Sequence, residues 1–258
     1  MSEFASPLST KFLPSAATFA ESALDLAYNC MLSELIASFL HEFNNPLTVL
    51  ASSAGLLSDL RAEDEVFAEV VQNLTEGSDD LTRLSNALRA VAKAGAGDGT
   101  NDPKQLCEHM LLVSGYRLKR ATLSVQLNVE PNIRLQISER RFLLLFYNML
   151  ELSLLDREAN GSLLQAPAIF TVELGQSANA CRLAVHVAQE DKILDWENIE
   201  SAPVVSLADL PKPMQLASAP FFHFVLEQAV CILQQCGSSM GWQMNDANCR
   251  IEAVIPAS

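Results

Sequence analysis

The chain has 258 residues, of which 49% are apolar and 19% charged. This is the composition of a globular protein with ample core, enough for one large domain or two small ones, and it excludes a disordered chain. The formal net charge of −14 argues against nucleic acid or an anionic membrane surface as a partner.

Residues 1–14 read as a tail. Met1 to Ser15 shows no basic segment followed by an apolar core, so no signal peptide is expected. No stretch reaches 18 uninterrupted apolar residues, so no membrane-spanning helix is expected either. From about Ser15 to Leu60 a helical period runs almost unbroken. Leu32, Leu35/Ile36, Phe39, Phe43, Leu47, Leu50, Ala54 and Leu57 fall on one stripe. Glu34, Ser38, His41, Asn45, Thr48 and Ser52 fall on the other, which turns His41 toward water. Pro46 removes a backbone donor, so a bend is expected just after His41. Arg61 to Glu65 is short and polar, suited to a turn between antiparallel helices. A second helix follows from about Glu65 to Lys93, with Phe67, Val70/Val71, Leu74, Leu81, Leu84, Leu88 and Val91 as its apolar positions. Gly77-Ser78 interrupts that stripe and marks either a kink or a close approach. The Gly-rich run at 95–102, closed by Pro103, reads as a linker, which makes 15–94 one domain and 103–258 another.

The second domain reads as α+β. A helix is expected from Pro103 to Arg120, capped by Asp102, followed by strands near Leu123–Val129 and Ile133–Ile137. An apolar helix covers Glu139–Asp156, and two strands follow at Ala168–Leu174 and Cys181–Ala188. Residues 190–217 are irregular. A helix at Phe221–Gln235 and strands at Gly241–Asn245 and Arg250–Ile255 close the chain.

Two amphipathic helices bury one stripe each against one another, so a lone hairpin leaves apolar surface exposed. A homodimer whose four helices enclose one core resolves this, and packing on the C-terminal half is the alternative. The six cysteines, Cys30, Cys107, Cys181, Cys231, Cys236 and Cys249, form no CxxC pair and have no metal-ligand spacing. They read as reduced core residues of a cytosolic protein.

The chemistry concentrates at His41-Glu42-Phe43-Asn44-Asn45-Pro46-Leu47. An exposed imidazole beside a carboxylate can act as a nucleophile if the carboxylate keeps one ring nitrogen protonated. The bland alternative is an ordinary surface histidine next to a helix-kinking proline. The segment resembles the H-box of sensor histidine kinases, a His-Glu-x-x-x-Pro-Leu motif on the first helix of a dimeric hairpin. The order of elements after residue 103 is similar to the ATP-binding domain of that family. The resemblance therefore implies a helical hairpin, a four-helix bundle as a dimer, followed by an α+β sandwich of the GHKL type.

The nucleotide motifs of that family are broken here. The magnesium-binding Asn-x-x-x-Asn reads Asn148 to Leu152, with leucine at the second position and Glu151 one residue off. The Asp-x-Gly-x-Gly loop leaves only Asp191, with no glycine after it, and Leu216 to Phe222 offers no Gly-rich lid. A phosphate cradle built on backbone N–H groups is hard to form without glycine.

An acceptor histidine without an ATP site implies a histidine phosphotransferase that relays phosphate between receiver domains of response regulators. It would bind no cofactor itself, and the partner receiver would bring Mg2+. His41 would carry the phosphoryl group, Glu42 would orient the imidazole, and Asn45 would contact the phosphoryl group or position water. Thr48, Val49, Ser52, Ser53 and Leu56 are the candidates for receiver docking, whereas Phe67 and Val71 read as core. A non-catalytic kinase-like scaffold is the runner-up, and a divergent active kinase ranks last. His109, His186 and His223 have no neighbours that suggest a catalytic unit.

Overall fold

The computed structural model describes residues 16–57, 66–94, 102–133, 135, 137–159, 167–177, 180–189, 202–204, 220–235, 239–245 and 248–256. The expected tail, the Arg61–Glu65 turn, the run at 95–101, the Asp191 loop and residues 216–219 lie outside them.

The first helix, α1, spans Ala16–Leu57 and continues through Pro46 as one element of 42 residues. The second, α2 (Phe67–Lys93), buries Val70, Gly77, Leu84, Ala87 and Val91. Gly77 is the point of closest approach. A Cβ there would lie 3.1 Å from Leu50 Cγ and 3.5 Å from the Pro46 carbonyl oxygen. The glycine that interrupts the stripe thus marks close packing of α2 on α1 beside the proline, where a missing side chain lets the two helices approach.

The buried stripe of α1 differs from the apolar stripe of its sequence. It runs through Leu24, Ala27, Tyr28, Met31, Leu35, Ser38, Phe39, Glu42, Pro46 and Ser53. Leu47 and Ala54, expected inside, are exposed. The reason is the neighbour. The N-terminal half of α1 packs not only on α2 but also on the α/β half of the same chain. The Tyr28 hydroxyl donates to the Val91 carbonyl oxygen, and the Arg140 guanidinium lies 4.8 Å from the Tyr28 ring centroid. Arg140 pairs with Asp25 and Arg141 with Glu21. One hydrophobic core therefore runs from the hairpin into the sheet domain.

The single helix expected over 103–120 is two. Helix α3 (Pro103–Val113) starts as read, with the Asp102 carboxylate accepting from the Lys104 N–H at 3.0 Å and proline in the first turn. It ends at the buried Ser114, and α4 (Gly115–Arg120) sets off against α1. Strand β1 (Leu123–Val129) follows. Residues 133, 135 and 137 belong to no strand, so the expected second strand is absent among the described residues. The chain leaves the sheet after Glu130, whose N–H donates to the Leu174 carbonyl oxygen, and Asn132 adopts a positive φ of 62°. Ile133 and Ile137 are buried as plugs, so their alternation reflects packing and not pairing.

Helix α5 (Glu139–Ala159) is the central helix of the core. Strands β2 (Ala168–Ser177) and β3 (Ala180–Gln189) form a hairpin. A short β4 (Ala202–Val204) lies in the stretch read as irregular, with Pro203 tolerated on an edge strand. Helix α6 (Pro220–Gln235), β5 (Ser239–Asn245) and β6 (Asn248–Pro256) complete the chain. The sheet order is β1-β2-β3-β6-β5-β4, with β1 and β2 parallel. Strand alternation aims Phe170, Val172, Leu174, Leu183, Val185, Val187, Ile251, Ala253 and Ile255 into the core. On the other face Arg182 pairs with Glu252. The helical hairpin followed by an α/β sheet domain is the architecture expected from the sequence.

Candidate functional site

His41 is exposed on α1, as its stripe predicted. It is not alone, however. The Tyr116 ring of α4 stacks on the imidazole, with centroids 4.0 Å apart and planes 13° from parallel. Glu42 faces away from it. The residue is buried, and its Oε2 accepts from Lys119 Nζ at 2.6 Å. Gly115 closes the contact, since a Cβ there would lie 3.4 Å from Glu42 Cδ. Consecutive helical residues point about 100° apart and do not face each other. Adjacency in sequence therefore did not bring carboxylate and imidazole together. In this arrangement Glu42 anchors α4 and Tyr116 contacts the imidazole, a correction to the reading of Glu42 as the group that orients His41.

Asn45, one turn beyond His41, is exposed. With Pro46, Val49, Glu76, Asp80 and Arg83 it lines a groove of about 580 Å³ between the hairpin and α3–α4. Thr48, Val49, Ser52 and Leu56 are exposed along the following turns. The Thr48 hydroxyl donates to the Asn44 carbonyl oxygen at 2.8 Å, within its own helix. Ser53 is only 5% exposed and drops out of the expected docking surface, because it lies on the buried stripe of α1. Phe67 is half-buried, while Val71, read as core, is exposed in the single chain.

The helix that would carry nucleotide-site residues has another use for them. On α5, Asn148 is buried and its side-chain amide donates to the Leu144 carbonyl oxygen at 2.7 Å. Leu152 is fully buried. Glu151 takes both arms of the Arg117 guanidinium, with Nη2 to Oε2 at 2.6 Å. Burial is the largest single influence and works against the Arg117 cation, but Glu151 and Tyr147 beside it together outweigh burial and raise its pKa. Burial, reinforced by Glu151, raises the neighbouring Tyr147 phenol as well. Burial likewise pushes the Cys181 thiol up to about 11 and raises Cys107, so both thiols are inert core groups.

The residues that sequence reasoning missed are Tyr116, Arg117 and Lys119. A signal existed: Gly115-Tyr116-Arg117-Leu118-Lys119-Arg120 is a basic turn in a strongly acidic chain.

His41 thus faces solvent on the first helix of a hairpin, beside an α/β sheet domain. Residues 31–97 match the His Kinase A (phospho-acceptor) domain. Over that segment the chain is similar to the phospho-acceptor hairpin of histidine kinases. It is similar in structure to the Acinetobacter baumannii histidine kinase AdeS, at 12% identity over 84% of this chain and 97% of that one, with a TM-score of 0.38. A bacterial phosphotransferase matches at 11% identity over 93% and 98%, with a TM-score of 0.43. The histidine kinase ThkA, solved in complex with the response regulator TrrA, matches at 12% identity over 96% and 68%, with a TM-score of 0.41. No curated protein matches the sequence.

Proposed function

We propose that this chain is a phosphorelay histidine phosphotransferase that moves phosphoryl groups between receiver-domain aspartates through His41 and does not bind ATP. The observation that carries this reading is a contrast. The acceptor His41 is open to solvent, while the α5 positions that would hold a nucleotide's magnesium are closed. Leu152 is buried, and Glu151 is held by Arg117.

In the proposed reaction an imidazole nitrogen attacks the phosphorus of a receiver's aspartyl phosphate. The N–P bond forms, the P–O bond to the aspartate breaks, and the carboxylate leaves. The reverse step on a second receiver completes the relay. A receiver's Mg2+ would supply the charge stabilisation at the phosphoryl oxygens, which leaves this chain to supply a positioned nucleophile. Asn45 lies one helical turn from His41, placed to contact the transferred group. Thr48, Val49, Ser52 and Leu56 form the docking strip on the same side of α1. The exposed face of Ile36, Leu40 and Leu47 is where a second chain completes a four-helix bundle. The free thiols suit the cytoplasm.

The test is to incubate the chain with phosphorylated receivers and, separately, with ATP and magnesium. Acid-labile label on His41 is expected from receivers and not from ATP, and His41→Gln should take none. Label from ATP would make the chain a kinase. Intact receiver binding with no label from either source would make it a scaffold.

A further inference from the structure

We infer that Tyr116 is a positioning residue for the phospho-acceptor, fixing the plane of the His41 imidazole from the α/β half of the chain. The inference rests on the phosphotransfer reading and adds to it a residue outside the hairpin.

The stacking geometry suits the chemistry. The lone pair of an imidazole nitrogen lies in the ring plane. A tyrosine face against the ring face, 13° from parallel, restricts rotation of the imidazole and leaves its nitrogen edges open. An exposed side chain otherwise samples several rotamers, and ordering it beforehand lowers the entropy lost on reaching the in-line geometry. The imidazole also carries positive charge while it holds the phosphoryl group with its second nitrogen protonated. The electron-rich face of Tyr116 stabilises that cation.

Tyr116 is held in place by its neighbours. Three of the next residues of α4 are each fixed to a different surface. Arg117 is paired to Glu151 on α5, Leu118 is 2% exposed in the core, and Lys119 is paired to Glu42 on α1. Gly115 lets the turn sit against Glu42. With each residue turning about 100° from the last, Tyr116 is left facing His41. Glu42 therefore acts on its neighbouring histidine indirectly, by anchoring the helix that supplies the ring. This gives an α/β domain with a closed magnesium position a use in the transfer step.

The experiment compares wild type, Tyr116→Phe and Tyr116→Ala, with melting curves as the control for folding. In NMR spectra the His41 ring protons should show an upfield ring-current shift in wild type and Tyr116→Phe, and lose it in Tyr116→Ala. Transfer from a phosphorylated receiver should keep its KM in Tyr116→Ala and lose about tenfold in kcat, the scale expected when a reacting group is no longer pre-oriented. Tyr116→Phe should restore the rate. Wild-type kcat in Tyr116→Ala, a change confined to KM, or no ring-current shift in wild type would each overturn the inference. Labelling with phosphoramidate separates this from failure of the proposed function. There the imidazole nitrogen displaces ammonia from phosphorus with no receiver present. If no receiver labels the wild type while phosphoramidate labels His41 in a Tyr116-dependent way, the relay reading fails and Tyr116 keeps its positioning role.

Discussion

Glu151 shows how a neighbour decides what a side chain does. By sequence it stands one residue from a position where the kinase pattern needs a metal-binding asparagine. In the fold it is buried against Arg117, whose guanidinium engages both carboxylate oxygens. Removing one member of such a pair leaves an uncompensated charge in a poorly solvated place. Arg117→Met is therefore expected to destabilise the chain by about 3 kcal/mol, near the lower end for buried pairs because the Arg117 side chain retains some exposure. Arg117→Met combined with Glu151→Leu should recover most of that loss, since apolar replacement of both partners removes the desolvation cost. Urea unfolding of the three proteins measures both effects, and equal midpoints for single and double variants would refute the argument. Because α4 is anchored by this pair, Arg117→Met should also weaken the Tyr116–His41 stack.

The helix α1 shows what an element's own pattern can and cannot specify. Its period is clear, yet the stripe that ends up inside is rotated from the most apolar one. Tyr28, Ser38, Glu42 and Ser53 are buried, and Leu26, Leu40 and Leu47 are exposed. Contact with α2 is set by Gly77, where a Cβ would come within 3.1 Å of Leu50. Gly77→Val should push the helices apart beside Pro46 and lower stability by about 1–3 kcal/mol, the usual cost of overpacking. The check is the denaturation midpoint together with labelling of His41, which stands on the same segment. A stabilised Gly77→Val would show that the glycine is a tolerated helix weakness and not a packing requirement.

At the scale of the molecule the chain has one core with two different finishes. The hairpin end near Tyr28 is sealed by α3, α5 and α6 of the same chain. The end beyond Phe39 is not, and Leu40 and Leu47 remain about half exposed at 51% and 47%. Intramolecular packing thus closes the proximal part of the hairpin, and the proposed dimer concerns the apolar side chains left exposed. Leu40→Glu with Leu47→Glu should convert a dimer to a monomer in light scattering, with unchanged helix content by circular dichroism. A monomeric wild type would remove the bundle from the proposed function and leave the acceptor site within one chain.

Much of this protein was set by local sequence. Helical period defined α1 and α2, alternation defined the strands, Asp102-Pro103 started α3, and His41 to Leu47 marked the candidate site. Each of these signals is a relation between residues a few positions apart, which fixes backbone conformation directly. The side of α1 that is covered, the break at Ser114, the packing of Ile133 and Ile137 into the core, and the assembly of His41, Tyr116, Glu42 and Lys119 were decided by tertiary structure. The contacts that assemble the site join residues 75 or more positions apart. Periodicity gives a helix its faces, and only the surfaces that pack against it determine which face is buried and which side chain meets the histidine.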